Sequence, residues 1–421
     1  MESCRTLIAG AGVTGLAFAN FIDSNDLIVL ERDTEIGGYC KTVKQDGFVW
    51  DYSGHFFHFR HKDIEQMLVS RMPPGEVQTI ARRSKIYLGE SLIDFPFQKN
   101  IHQLPKEDFI DCLYHLFFKD EARSGQVESF EDMVYARFGK GITDRFLKPY
   151  NEKLYACALN ALDAEAMGRF FPYADLEDIV RNMKQADNSS YNATFTYPRG
   201  GAFEYVKALA AGTPAGSICT DEALLSIDLE ARVATTSKRQ IRYEHLVSTL
   251  PFDALLRACG LPVDPGVFHS NKVLVYNLGF DRKGWRDVHW AYFPEKRYVF
   301  YRVGFYDNIF ASDRMSLYIE LGAPTGAELD VEQNLVRTLE DLKTAGIVDE
   351  HQLVSSHTVT MNPAYVHITQ SSAREVTRLR RLLGSRGVYS AGRYGGWTYC
   401  SIEDNILEAR ELAEVLKPIR A

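Results

Sequence analysis

The sequence predicts an α/β chain in which a parallel-sheet domain is assembled from separated stretches, with a helical domain and a twisted antiparallel sheet inserted between them. Three observations predict it. A glycine turn, G-A-G-V-T-G, stands between an apolar run and a helical pattern at the start of the chain; apolar residues recur at three and four from about residue 100 to 183; and aromatic, β-branched alternation marks segments such as R-Y-V-F-Y-R-V-G-F-Y. The 421 residues, 45% hydrophobic and 25% charged, suffice for two or three domains with substantial cores. A net charge of −8 argues against a nucleic-acid partner, because a phosphate backbone calls for a basic surface.

Taken in order, Thr6 to Ala9 is the first strand, Gly10, Gly12 and Gly15 form the turn, L-A-F-A-N-F-I continues as helix, and L-I-V-L-E ends in Glu31. Strand, glycine turn, helix, strand and acid in this order bring backbone N–H groups and a helix N-terminus to a pyrophosphate, with the acid on a ribose hydroxyl. Gly37 and Gly38 follow the second strand, and D-Y-S-G-H runs from Asp51 to His55. A glycine pair there resembles the pattern of two-dinucleotide flavoproteins, in which the chain passes close to an extended FAD. Two further segments match that pattern: E-H-L-V-S-T-L-P from Glu244, a strand returning to the FAD domain, and Y-S-A-G-R from Tyr389, leading into a long final helix. The expected organisation is a discontinuous Rossmann-like FAD-binding domain (residues 1–75 with 200–265 and 385–421), a helical domain (97–186) and an antiparallel β-sheet substrate domain (76–96 with 187–199 and 266–384).

Seven cysteines are scattered without a CxxC pair, and no histidine cluster has metal-ligand spacing, so reduced, non-metal thiols are expected. No window approaches the roughly 18 apolar residues of a membrane span, and the N-terminus lacks the features of a secretory signal, which places the expected address in the cytosol. D-N-S-S-Y-N (Asp187 to Asn192) reads as the loop between the helical and sheet regions.

Five stretches carry a more specific resemblance: F-P-F-Q-K-N-I-H-Q-L-P-K-E from Phe95, F-G-K-G-I-T-D-R-F-L-K-P-Y-N-E-K-L-Y-A from Phe138, N-A-T-F-T-Y-P-R-G-G from Asn192, W-A-Y-F-P-E with F-Y-R between Trp290 and Arg302, and G-R-Y-G-G-W-T-Y from Gly392. In this order and spacing the chain resembles the eukaryotic-type UDP-galactopyranose mutase family over nearly its whole length. The resemblance implies an isomerase that interconverts pyranose and furanose forms of a nucleotide sugar, with N5 of reduced FAD attacking the anomeric carbon and no net redox change. UDP-galactose or a related UDP- or TDP-hexose is the implied substrate. The protein would hold the anomeric carbon near the flavin and neutralise the diphosphate.

The same resemblance assigns the site. Arg169 and Arg302 fall where the family places its two diphosphate arginines, residues whose guanidinium forks stay charged at any working pH. Tyr292, Tyr365 and Tyr399 match tyrosines that donate to the same group. His55, after Gly54, matches the histidine that reaches the flavin and favours its reduced form. Phe95, Gln98, Asn151 and Tyr155 match positions that bracket a uracil, with Phe95 standing for a tyrosine and Tyr155 for a tryptophan, so stacking survives while one hydroxyl contact is lost. Asn192 matches a residue that touches sugar hydroxyls. FAD is assigned to Gly10, Gly12, Thr14, Gly15, Glu31, Gly38, Gly54, Gly392, Arg393 and Glu403, with Arg393 placing positive charge by the reduced flavin. Glu403 takes the place of an Asp or Asn in the family. NAD(P)H is the implied reductant, received without a second GxGxxG; Arg82 and Arg60 lie where the family uses an Arg and a His, and an external reductase stays open. So does a homo-oligomer, since the family uses several states. The competing reading is a flavin amine oxidase or desaturase-like oxidoreductase, which shares the FAD motifs and has no need for converging arginines.

Overall fold

The apolar run at the start of the chain becomes the middle of a sheet. The computed structural model describes residues 1–119, 127–188 and 193–417. Strand Glu2–Ala9 pairs in parallel with Leu27–Leu30 on one side and Gln240–Ser248 on the other. Leu7, Ile8 and Ala9 are fully buried, as a parallel strand covered on both faces requires. Ile218–Cys219 extends the sheet beyond Leu27–Leu30, Val388–Ser390 pairs in parallel with the end of Gln240–Ser248, and the antiparallel strands Leu224–Asp228 and Val233–Thr236 complete it. One sheet thus draws on three distant stretches of chain.

A second seven-stranded sheet runs Leu353–Met361, Asn271–Phe280, Ser316–Pro324, Arg302–Phe305, Trp290–Tyr292, Ser84–Leu88, Ser91–Asp94. Its pairs are antiparallel except Trp290–Tyr292 against Ser84–Ile86, which is parallel. The sheet is antiparallel as expected, with this one parallel pair added. Its two strands are not consecutive and are separated by the whole helical region, so no hairpin imposes the antiparallel sense. Its interior is aromatic: Tyr276, Tyr298, Phe300, Tyr301, Phe305 and Tyr318 are almost wholly buried.

Helices Lys106–Phe117, Phe130–Ile142, Lys148–Tyr155 and Leu176–Lys184 all lie between residues 97 and 186. Lys148–Tyr155 carries proline in its first turn and stops where Ala156 turns left-handed at φ 52°. The final helix, Ile402–Leu416, starts with a reciprocal cap between Ser401 and Asp404 and packs on Val13–Phe21. Among the described residues no helix is long and apolar enough to cross a membrane.

Candidate active site

The glycine turn forms a cradle closed by both ends of the chain. Helix Val13–Phe21 starts at Gly12 with no side-chain cap, which leaves its first N–H groups for an anion. A Cβ on Gly15 would lie 2.0 Å from the Gly10 carbonyl oxygen, so only glycine lets the helix sit this close to the strand. The Gly37 N–H donates to the Ala11 carbonyl at 2.8 Å, and Gly38 packs against Gly12, laying the glycine pair along the turn. Glu31 is buried at the end of the second strand and accepts from the Ala11 and Asp33 N–H groups at 3.0 and 3.1 Å. A carboxylate has about four acceptor positions, so capacity for ribose hydroxyls remains.

From the other end, Gly392 approaches Thr14 so closely that a Cβ would meet the Thr14 hydroxyl at 2.5 Å. Thr14 donates to the Asn405 side-chain oxygen at 3.1 Å, and the same oxygen accepts from the Arg393 N–H at 2.8 Å. Asn405 was not singled out in the sequence. Only the C-S-I-E-D-N-I run at the start of the last helix could have pointed to it.

Gly54 faces Tyr318, whose hydroxyl would stand 2.5 Å from an added Cβ, and the His55 N–H turns back to the Ser53 carbonyl at 2.7 Å. The His55 Nδ1 is buried with no hydrogen-bond partner among the described residues. Burial, with Arg393 and Arg302 adding to it and Glu320 opposing, pulls His55 down to about 4. The imidazole is therefore neutral at working pH and offers a hydrogen bond rather than a charge. The positive charge comes from Arg393, which donates to the Cys400 carbonyl at 3.0 Å and lies 4.7 Å over Tyr399 and 5.2 Å over Tyr365. An uncapped helix start, glycine-only contacts and an orphaned buried imidazole nitrogen together fit FAD.

Glu403, expected beside the cofactor, holds a turn of the chain in this structure. Its buried carboxylate accepts from the N–H groups of Arg60 and His61, both at 2.9 Å, and from the Arg60 Nε at 3.3 Å, with the His61 ring nitrogen also 3.3 Å away. These contacts fasten the 60–61 turn to the last helix. For the same reason Arg60 faces Glu403 and Asp404.

The second wall is built from side chains. Arg302 opens its strand and donates through Nε and Nη2 to Glu320 at 2.5 and 2.7 Å, in a bidentate pair with a carboxylate that is 1% exposed. Ser53 donates to the same carboxylate, which ties the pair to the His55 turn. Glu320 went unnoticed in the sequence because S-L-Y-I-E-L reads as sheet alternation. Tyr399 stacks on Tyr365 at 6.0 Å, and the Tyr292 hydroxyl accepts from the Trp290 indole at 2.8 Å. Arg302, Arg393 and Tyr399 all act electrostatically on the Tyr365 hydroxyl. Arg169 sits at the edge of this group. Its own Phe170, 4.2 Å beneath the guanidinium, packs on Tyr399, while its Nη2 donates at 2.5 Å to both oxygens of Asp404, a carboxylate shared with Arg60.

Gln98 and Asn151 are buried, and each spends its amide N–H on a backbone carbonyl, Pro172 and Leu147 respectively. Each leaves a buried carbonyl oxygen without a partner among the described residues, as does the hydroxyl of Tyr155. Such acceptors suit the N–H of a planar base. Phe95 and Tyr155, expected to bracket a base, each pack on a tyrosine of the second wall. Phe95 packs on Tyr292 at 5.1 Å, whereas Tyr155, at the end of its helix, packs on Tyr365 at 5.8 Å. Asn192 lies outside the described residues. Arg82 lies 4.9 Å over Phe95 and lines a cavity of about 710 Å³ with Arg83, Lys85 and Arg286.

A glycine-lined dinucleotide cradle facing a wall of arginine and tyrosine defines a flavin enzyme. Residues 13–417 match the flavin containing amine oxidoreductases, and the chain belongs to that family. It is similar to mitochondrial protoporphyrinogen oxidase of Nicotiana tabacum, 25% identical over 158 residues, a stretch covering 35% of this chain and only 31% of that relative's length. Its structure is similar to that of reduced UDP-galactopyranose mutase, with a TM-score of 0.88, 25% identity and coverage of 98% of this chain and 94% of the other. Cyclohexylamine oxidase from Brevibacterium oxydans IH-35A shares the fold, with a TM-score of 0.68, 13% identity and 98% of each chain covered. The chain is thus a flavoenzyme with a mutase-like architecture.

Proposed function

We propose that the protein is a flavin-dependent mutase interconverting the pyranose and furanose forms of a nucleotide sugar, UDP-galactose or a related UDP- or TDP-hexose, with no net redox change. The observation that carries this reading is the buried Arg302–Glu320 pair set among Tyr292, Tyr365 and Tyr399, beside the cofactor cradle. A neutral or cationic amine has no use for a fixed guanidinium at that point; a diphosphate has.

FAD would be held by Gly10, Gly12, Thr14, Gly15, Glu31, Gly38, Gly392 and Arg393, with Gly54 and His55 at the ring. Reduced FAD, when bound, supplies the N5 nucleophile for the anomeric carbon. Arg302, with two of its three nitrogens fixed on Glu320, holds positive charge where the diphosphate departs, and the tyrosine hydroxyls donate to its oxygens. Arg169 adds a second cation once it leaves Asp404. Gln98 and Asn151 hold the base, so the departed nucleotide stays in register to rejoin the rearranged sugar. Arg82, Arg83, Lys85 and Arg286 line one cavity together with Asp94 and Asp287, a balance of four cations to two carboxylates that suits a phosphate of NADPH as reductant.

The test is chromatographic conversion of UDP-galactofuranose and a panel of UDP- and TDP-hexoses, with and without dithionite or NADPH. Conversion only with reduced flavin, without stoichiometric consumption of reductant, is expected. Stoichiometric oxidation of an amine or alcohol with peroxide release would instead establish the amine oxidase reading, which family membership alone favours.

A further inference from the structure

Helix Lys148–Tyr155 carries Asn151 and Tyr155; Lys153, two residues from each, projects from a different side of it. The Lys153 ammonium reaches four backbone carbonyls of one loop: Phe293 at 2.8 Å, Glu295 at 3.1 Å, Tyr298 at 2.9 Å and Phe300 at 2.5 Å. That loop joins the strand ending at Tyr292 to the strand beginning at Arg302. One side chain therefore connects the helix that presents the base ligands to the hairpin that presents two diphosphate ligands. Three N–H donors facing four convergent carbonyls is the geometry of a bound cation, and no neutral side chain reproduces it.

The rest of the junction is fastened as well. Asn271 donates to the Leu154 carbonyl at 2.6 Å and accepts from the Tyr365 N–H at 2.8 Å, the His367 ring bonds the Tyr155 carbonyl at 2.9 Å, and the Val299 N–H donates to Asp341 at 2.7 Å. These contacts seat the helix end against the sheet and pin one point of the loop. Between helix and hairpin, Tyr150 packs on Tyr292 and Tyr301 at 5.1 and 6.1 Å and Glu152 lies 3.8 Å from Lys296, while Lys153 supplies the hydrogen bonds that bridge the span.

We infer that Lys153 is a positioning residue: its ammonium sets the distance between the base-holding helix and the Tyr292–Arg302 hairpin, so that base and diphosphate of one nucleotide are bound together. The inference rests on the nucleotide-sugar reading and adds to it a coupling between two halves of the ligand. Each half alone should bind without Lys153; the joined molecule should not gain from both.

The experiment uses the FAD-loaded protein at pH 6, below the value of about 7 to which burial lowers Lys153, so that the ammonium is present. Affinities for uridine, pyrophosphate and UDP are measured in the wild type, Lys153→Met and Lys153→Ala. The expected result is UDP binding weakened about 10- to 100-fold in both variants, with uridine and pyrophosphate each changed less than threefold and flavin content unchanged. An open cleft of about 500 Å³ borders Lys153 and gives small amines access, so propylammonium should restore UDP affinity to Lys153→Ala but not to Lys153→Met, whose side chain fills the path. Undiminished UDP affinity in both variants would overturn the inference, as would parallel losses for uridine, pyrophosphate and UDP, which mark a merely structural lysine. Failure of the wild type itself to bind UDP would instead remove the nucleotide-sugar reading on which the inference stands.

Discussion

Arg302 and Arg169 carry the same charge toward the same group of tyrosines, yet they are built in opposite ways. Arg302 is mostly buried and bidentate on a carboxylate that water hardly reaches, whereas Arg169 is 37% exposed on an Asp404 that it shares with Arg60. A buried pair is fixed before any ligand arrives, because moving one partner strands the other. An exposed pair is worth about 0–1 kcal/mol and can be exchanged for a better anion. The difference assigns Arg302 to preset electrostatics and Arg169 to a cation recruited by the ligand.

Removing the preset cation should have the largest effect. Arg302→Ala should lower turnover of the nucleotide sugar by about 10³-fold or more while the protein stays yellow, and stranding Glu320 should lower stability by about 3–5 kcal/mol in thermal or denaturant unfolding. Unchanged turnover would sink the mutase assignment. Glu320→Gln keeps a hydrogen-bonding shape but frees the guanidinium to wander; turnover should fall about 10²-fold, with KM rising more than kcat falls. Arg169→Ala should raise KM about 10-fold and leave the unfolding midpoint within the small range of a surface pair. Equal stability losses at Arg302 and Arg169 would erase the contrast between them.

Acid should separate stability from rate. Burial lowers His55, His58 and His289 from their ordinary 6.5 to about 4, so the unfolded chain binds up to three more protons than the folded one between those values. The stability they contribute is present above pH 6.5 and lost as the pH falls toward 4. Asp51, pushed by burial from 3.8 up to about 7, works in the opposite sense, because its folded form binds the extra proton. From these four groups a net of two protons contributes a loss of at most about 2.7 kcal/mol per pH unit between pH 6.5 and 4, to which the burial-lowered His245, His357 and His367 add in unfolding curves. Over pH 8 to 5, where His55 keeps its neutral form, its titration should change turnover by less than about threefold; a step near 6.5 that vanishes in His55→Ala would show a charged imidazole at work.

The cofactor cradle was legible because it is made of backbone. Gly10, Gly12 and Gly15 must recur at fixed intervals for a helix to touch a strand, and that interval is printed in the chain. The alternation around Arg302 likewise announced a sheet. Its partner did not announce itself: Glu320 meets Arg302 through the register of two antiparallel strands, and no local rule selects that glutamate from the other acids of the chain. The contacts of Glu403 were hidden for a related reason. Its helix position was readable, but the 60–61 turn that bonds its carboxylate lies more than 300 residues earlier. The parallel pairing of Trp290–Tyr292 with Ser84–Ile86 was hidden by the intervening helices.

The hydrogen bond from Thr14 to Asn405 spans 391 residues and has a consequence for how the enzyme is made. The residue that locks the glycine turn emerges from the ribosome about half a minute after the turn itself at ordinary elongation rates. Until then the parallel sheet lacks Val388–Ser390 and the cradle lacks Gly392, Arg393 and Asn405. The nascent chain must therefore keep an unfinished nucleotide fold from aggregating until Asn405 is made, and flavin loading is coupled to emergence of helix Ile402–Leu416 rather than of helix Val13–Phe21.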